Sequence, residues 1–231
     1  MSAKLKAIKA AQLAEAEKTG VNPYASAPTL RIVPKVAKPG SLAHYQAALE
    51  ADLASLKNLK TLGEKLAAKE KMLDTYLPFV DGYLDQGHDY PNDIAVQMMI
   101  WLLDVGDVER GLHLALELIR RGHQVMPERF DRRDLETFLL DAMFDWANQL
   151  LKKDQAVSPY YDTLAATMEN DGWDVHPAVR SKTYVMLAKH KLREKDYQAV
   201  VALCDKAIQA NPDGAGVKSL RATATSKLRM Q

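Results

Sequence analysis

Residues 41–76 read SLAHYQAALEADLASLKNLKTLGEKLAAKEKMLDTY, and their apolar spacing decides the fold class. Leu42, Tyr45, Leu49, Leu53, Leu56, Leu59, Leu62, Leu66 and Leu73 recur at steps of three or four with one gap of seven, the period of a helix with a single apolar stripe. Ser41 is placed to cap its start. A continuous helix from Leu42 to Tyr76 reaches about 50 Å at 1.5 Å per residue, too long for a small body to cover easily. Two readings follow: a coiled-coil-like oligomerisation surface through Leu42, Tyr45, Leu49, Leu53, Leu56 and Leu59, or an antiparallel hairpin closed within one chain by a break at Gly63. Of these, oligomerisation is the expectation carried forward.

Downstream of this stretch the helical period continues in shorter segments. It predicts helices over 77–86, 92–105, 107–121, 135–152, 159–170, 177–193, 196–210 and 214–228, separated by Gly87, Gly106, Gly122 with Pro127, Gly172 and Asn211-Pro212. Short connections make consecutive helices antiparallel neighbours. Two of these hairpins are alike. Asp107 starts one helix with Gly111 four positions on, and Asp196 starts another with Val200 at the matching place. The second resembles the back half of a tetratricopeptide unit. The expected fold is therefore all-α: a long N-terminal coiled-coil-like helix, then a stack of antiparallel helical hairpins, the last tetratricopeptide-like. Residues 1–40 form a basic arm, 41–76 the long helix, 77–153 a central core and 154–231 C-terminal hairpins with a basic end.

Composition agrees with one sizeable helical body. The chain has 231 residues, 47% hydrophobic, with 11 glycines and 10 prolines, and four of those prolines fall in the first 40 residues. The longest apolar run, 94–103, is about half of the roughly 20 residues that a membrane-spanning helix needs. The N-terminal lysines are not followed by an apolar stretch, so no signal peptide is expected. The lone Cys204 fits a reducing compartment, as a small buried hydrophobe.

A formal net charge of +1 conceals an uneven distribution. Residues 1–40 carry seven basic side chains, Lys4, Lys6, Lys9, Lys18, Arg31, Lys35 and Lys38, against Glu15 and Glu17. Residues 214–231 add Lys218, Arg221, Lys227 and Arg229 with no acid, which leaves the body between strongly acidic. Basic ends on an acidic body suit tails that touch a polyanion while the body is repelled, or simply a soluble surface. A third cluster sets Arg120, Arg121, Arg129, Arg132 and Arg133 against Glu128 and Asp131. Arginines between two helices fork onto phosphates, or pair with Glu117, Asp134 and Glu136. No helix-turn-helix with a base-reading helix is evident.

Chemistry beyond binding has few candidates. The stretch Gly214-Ala215-Gly216-Val217-Lys218-Ser219 lacks the four-residue spacer of a phosphate-cradling loop, so no ATP site is expected. The six histidines, His44, His88, His113, His123, His176 and His190, form no ligand pair, and no cofactor or metal is expected. Asp81, Asp85, Asp89 and Asp93 recur every four residues, and Asp141 with Asp145 makes another such pair. A metal-dependent nuclease would need several converging on one ion. Helix capping and solvated faces explain them more simply, and no catalytic residue is assigned.

The run Leu77-Pro78-Phe79-Val80-Asp81-Gly82-Tyr83-Leu84, then Asp93-Ile94, then Trp101-Leu102-Leu103-Asp104-Val105-Gly106-Asp107, resembles the phage small terminase subunit family in order and spacing. The likeness continues through Gly111-Leu112, Ala115, Ile119 and Met126-Pro127, and more weakly over 45–76 and 188–217. Asn92 and Leu102 depart from the family's commoner residues. As packing, Pro78 is expected to start a helix, Trp101 to fill the core, Gly106 to end a helix and Asp107 to cap the next. The resemblance implies an oligomeric, non-membrane protein of the bacterial host's cytoplasm. It would bind double-stranded viral DNA at the cohesive-end packaging site and recruit the large terminase subunit, an ATPase that also cuts. The alternatives are a protein-binding helical scaffold without DNA binding and a metal-dependent endonuclease in its own right.

Overall fold

Caps decide where the helices start. In the computed structural model, which describes residues 38, 40–122, 125–127, 130 and 134–230, Ser41 accepts a hydrogen bond from the His44 amide at 3.3 Å and opens α1, Leu42–Asn58. Leu59 is extended, and a second helix, α2, runs from Leu62 to Asp85. Its start is closed reciprocally: the Thr61 hydroxyl accepts from the Glu64 amide at 3.2 Å, and the Glu64 carboxylate accepts from the Thr61 amide at 2.9 Å. Those two bonds lower the Glu64 pKa, the Thr61 backbone bond most. Two helices thus stand where one continuous helix over 41–76 was expected, and the break falls at Leu59–Thr61 rather than at Gly63. A capping box stops a helix more firmly than a helical glycine does.

The break folds the leucine stripe back onto its own chain. Leu49 and Leu56 are buried, and Leu42, Tyr45, Leu53 and Leu59 are half-buried against the core. The Tyr45 ring lies 4.4 Å from that of Phe79, and the Tyr76 hydroxyl donates to Asp52 at 2.6 Å. Pro78 does not start a helix but lies within α2, on its exposed side, where losing one backbone hydrogen bond is tolerated best.

The chain divides into two units, Met1–Lys38 and Pro39–Gln231. All nine helices among the described residues lie in the second, and no strand accompanies them. At its centre is α3, Asp93–Val105, capped by the Asn92 side chain on the Ala95 amide at 3.1 Å. Every residue from Ile94 to Leu102 is buried, the mark of a helix covered on all sides. Trp101 has no exposure and meets the Tyr76 ring edge-on at 6.2 Å.

Gly106, left-handed at φ 89°, and the Asp107 cap turn the chain into α4, Val108–Arg121. After that come α5, Leu135–Lys152, α6, Tyr160–Asn170, α7, Pro177–Arg193, α8, Tyr197–Ala210, and α9, Lys218–Leu228. Neighbours α2 with α3, α3 with α4, α7 with α8 and α8 with α9 make the main packing, and α5 ties the two halves by lying on α7. His190, buried in α7, sets Nε2 3.0 Å from the Ala147 carbonyl of α5. Desolvation lowers its pKa, so the ring is neutral and Nε2 carries the proton it donates.

The likeness of the two hairpins is visible in the backbone. Lys195, like Gly106, is left-handed, and the caps Asp107 (φ −78°, ψ 71°) and Asp196 (φ −82°, ψ 75°) have nearly the same conformation. Gly111 and Val200 are both buried four residues on. At Gly111 the helices touch closely: a Cβ there would sit 2.8 Å from Leu103 Cδ2 and 3.3 Å from the Leu103 nitrogen. Gly63 in α2 has nothing within 4 Å. We expect Gly63→Ala to raise stability by about 0.5–1 kcal/mol. Gly111→Ala should lower it by about 1–2 kcal/mol, because the overpacking outweighs the helix-propensity gain. Urea denaturation of the two variants reads both signs, and a stabilised Gly111→Ala would show that Leu103 yields freely.

Candidate nucleic-acid interface

Phosphate binding needs cations that are not already spent inside the protein. Of the cations expected to contact DNA, Lys4, Lys6, Lys9, Lys18, Arg31 and Lys35 lie outside the described residues, as do Arg129, Arg132 and Arg133. Lys38 is described and exposed. The remaining two, Arg120 and Arg121, end α4 side by side and meet different surroundings.

Arg120 keeps 70% of its side chain exposed and pairs with Glu117 one turn back at 2.7 Å. Such a pair contributes little and is available to a stronger anion. The Arg121 side chain is only 16% exposed. Its guanidinium donates to the His88 carbonyl at 2.5 Å and the Leu84 carbonyl at 3.4 Å, and lies 5.3 Å from the centre of the Tyr83 ring. Arg121 thereby satisfies free carbonyls at the end of α2 and pins it to α4. Around it, Tyr83, His88 and Tyr90 form an aromatic cluster, and the Tyr83 hydroxyl donates to the Tyr90 carbonyl at 2.8 Å. We expect Arg121→Ala to lose about 1–3 kcal/mol of stability, since it strands buried acceptors. Arg120→Ala should stay within about 0.5 kcal/mol. Equal effects in thermal melts would contradict the division of roles.

The C-terminal cations divide in the same way. Arg221 forks onto Asp205, with Nε at 2.6 Å and a terminal nitrogen at 3.4 Å, while Lys218, Lys227 and Arg229 are exposed. The regularly spaced aspartates Asp81, Asp85, Asp89 and Asp93 are all exposed. Asp93 accepts from Gln46 at 3.0 Å, and Asp141 from Lys182 at 3.4 Å. Among the described residues no three acidic, histidine or cysteine side chains gather as metal ligands would. His44, His88, His113 and His176 are exposed, and the His176 ring accepts from the Ala178 amide at the start of α7. Cys204 is fully buried, and that burial raises its pKa.

One feature escaped the sequence reading. The elbow between α1 and α2 exposes 71% of Leu62 beside Lys57, Lys60 and Lys65. Next to it opens a cleft of about 1040 Å³, bounded by α1 and α2, the end of α3, and α5. Its signal was present as a lysine spacing through the leucine stripe, but a continuous helix would have hidden both.

Comparison with known proteins places this arrangement. The profile of a family described as phage small terminase subunit matches residues 46–177, more than half of the chain, from α1 to the first residue of α7. The chain is 30% identical over 187 residues to the "Probable terminase, endonuclease subunit" of Haemophilus phage HP1 (strain HP1c1), covering 75% of this chain and 65% of that protein. It is 35% identical over 74 residues to the "Terminase, endonuclease subunit" of Escherichia phage P2, covering 32% of this chain and 30% of that one. The match thus spans just under two thirds of the one relative's length and under a third of the other's. No solved structure matches.

Proposed function

The chain belongs to the phage small terminase subunit family, and from that premise we propose that it binds double-stranded viral DNA at the packaging site as an oligomer and recruits the large terminase subunit. The observation that carries the DNA-binding part is the charge distribution. Seven cations stand in the first 40 residues against two acids, whereas the body is acidic. Contacts to phosphate from the arm, from Arg120 and from the arginines at 129, 132 and 133 would each be weak. Several copies held together multiply them by raising the effective concentration of each for the same duplex. Sequence preference is then a matter of how readily the site bends, because no base-reading helix is offered.

We assign ATP hydrolysis and cutting to the large subunit. Supporting that division, the chain has no phosphate-cradling loop, and its carboxylates are spread along exposed helix faces. The printed names of the relatives call them endonuclease subunits, and that favours a second reading in which the chain itself cuts. Incubating purified protein with viral end DNA and magnesium or manganese separates the two. Cleavage abolished by Asp81, Asp85, Asp141 or Asp145 substitution would establish the second. No helix among the described residues is long and apolar enough to cross a membrane.

The direct test is a titration of a labelled duplex from the viral genome end with the full chain, followed by anisotropy across a salt series. Binding that weakens steeply with salt, and that is tighter than to an unrelated duplex, is the expected result. No binding at low salt would overturn the DNA-binding reading in favour of a protein-binding scaffold.

A further inference from the structure

The leucine stripe expected to join subunits is occupied inside the chain, so association needs another surface. The elbow and the cleft beside it supply one. At the elbow the capping box of Thr61 and Glu64 holds the chain in a sharp turn, and Leu62 stands out from it with 71% of its surface in water. A single exposed leucine is ordinary. This one is set among Lys57, Lys60 and Lys65, none of which has an ion pair among the described residues. It is an apolar knob in a ring of uncommitted positive charge.

The cleft has the opposite character. Leu103, Phe138 and Trp146 line it with apolar surface, and Asp104, Asp141 and Asp145 stand among them. Asp104 is neutralised by Lys69 at 2.6 Å, and Asp141 is partly engaged by Lys182 at 3.4 Å. Asp145 is exposed and has no ion pair among the described residues. At about 1040 Å³ the cleft has room for several side chains. Trp146 offers an aromatic wall of the kind that concentrates binding energy at interfaces.

We propose that the elbow of one copy seats in the cleft of a second copy, with Leu62 against Leu103, Phe138 and Trp146 and the elbow lysines facing Asp145 and Asp141. Charge complementarity selects this occupant: the chain itself displays an apolar knob ringed by cations beside an apolar cleft with acidic side chains. Knob and cleft are different surfaces, so each copy offers both halves of the contact. The proposal rests on the oligomeric reading above and gives it a surface.

The test is the mass of the full chain in solution, measured by sedimentation over a concentration series, with Leu62→Ser, Lys60→Glu, Asp145→Lys and the Lys60→Glu/Asp145→Lys double variant. All four positions are exposed, so thermal melts should match the wild type. Leu62→Ser should weaken association by about tenfold or more, the worth of one buried leucine. Each charge reversal should weaken it, and the double variant should recover part of the loss. A wild type monomeric at every concentration would overturn this contact and the oligomeric reading together. Association that none of the single variants weakens would overturn this contact alone. Variants that lose DNA binding at unchanged mass would assign the elbow to phosphate instead, and would equally overturn the proposal.

Discussion

Truncating Trp101 to alanine is expected to remove about 3–5 kcal/mol of stability, the cost of emptying a large aromatic site in a closed core. The size of the effect follows from where the residue sits. It is wholly buried on α3, the helix covered on all sides, and its ring meets Tyr76, which in turn holds α1 through Asp52. Neighbours on the all-buried α3 cannot collapse into the space without moving α2 or α4. Against a typical total of roughly 5–15 kcal/mol, such a loss is large. At this chain length it corresponds to a fall of roughly 6–20 °C in the thermal midpoint. Trp101→Phe, which keeps an aromatic ring, should lose less than half as much. Chemical denaturation followed by helical circular dichroism measures both, and a loss under about 1 kcal/mol for alanine would show that α3 is not the packing centre.

Deleting residues 1–40 should have the largest effect on binding. If all seven cations of the arm touch phosphate, the slope of log K against log salt becomes shallower by about six, at roughly 0.9 for each phosphate neutralised. Affinity near physiological salt falls accordingly, by orders of magnitude, while stability changes little because all the described helices lie in the unit beginning at Pro39. A full salt series on both proteins reads the slope directly. An unchanged slope would remove the arm from the mechanism and leave Arg120 and its neighbours to account for binding.

Much of the fold was legible because helix signals are local. Asp107, Asp134 and Asp196 each cap a helix where the sequence places one, and Gly106 and Gly122 end helices in the left-handed conformation that glycine adopts without strain. Apolar periods gave the remaining segments to within a few residues, including the end of α8 at Ala210 before Asn211-Pro212. The start of α9 moved from 214 to Lys218, and Pro78 lies inside α2 rather than at its start. In each case a turn residue was weighed without the packing that overrides it.

The candidate site was less legible. Arg120 and Arg121 are identical in sequence terms, yet one faces water and the other seals the end of α2. No local pattern separates them, because the distinction depends on carbonyls more than thirty residues earlier in the chain. The leucine stripe poses the same problem in reverse. Its period was read correctly as one apolar helix face, but period does not say whether that face meets its own chain or another. The capping box at Thr61 and Glu64 was written in the sequence and would have placed the break.

The sequence by itself determined the helical class, the order of the helices, the family and the division into basic ends and an acidic body. Each of these depends on residue type and short spacing, which need no knowledge of distant contacts. Only the tertiary structure decided which charges are free and which apolar surface remains exposed. Both are set by what lies across the fold from a residue, and for Arg121 and for Leu62 that partner, or the lack of one, is fixed by packing and not by the residues beside them in the chain.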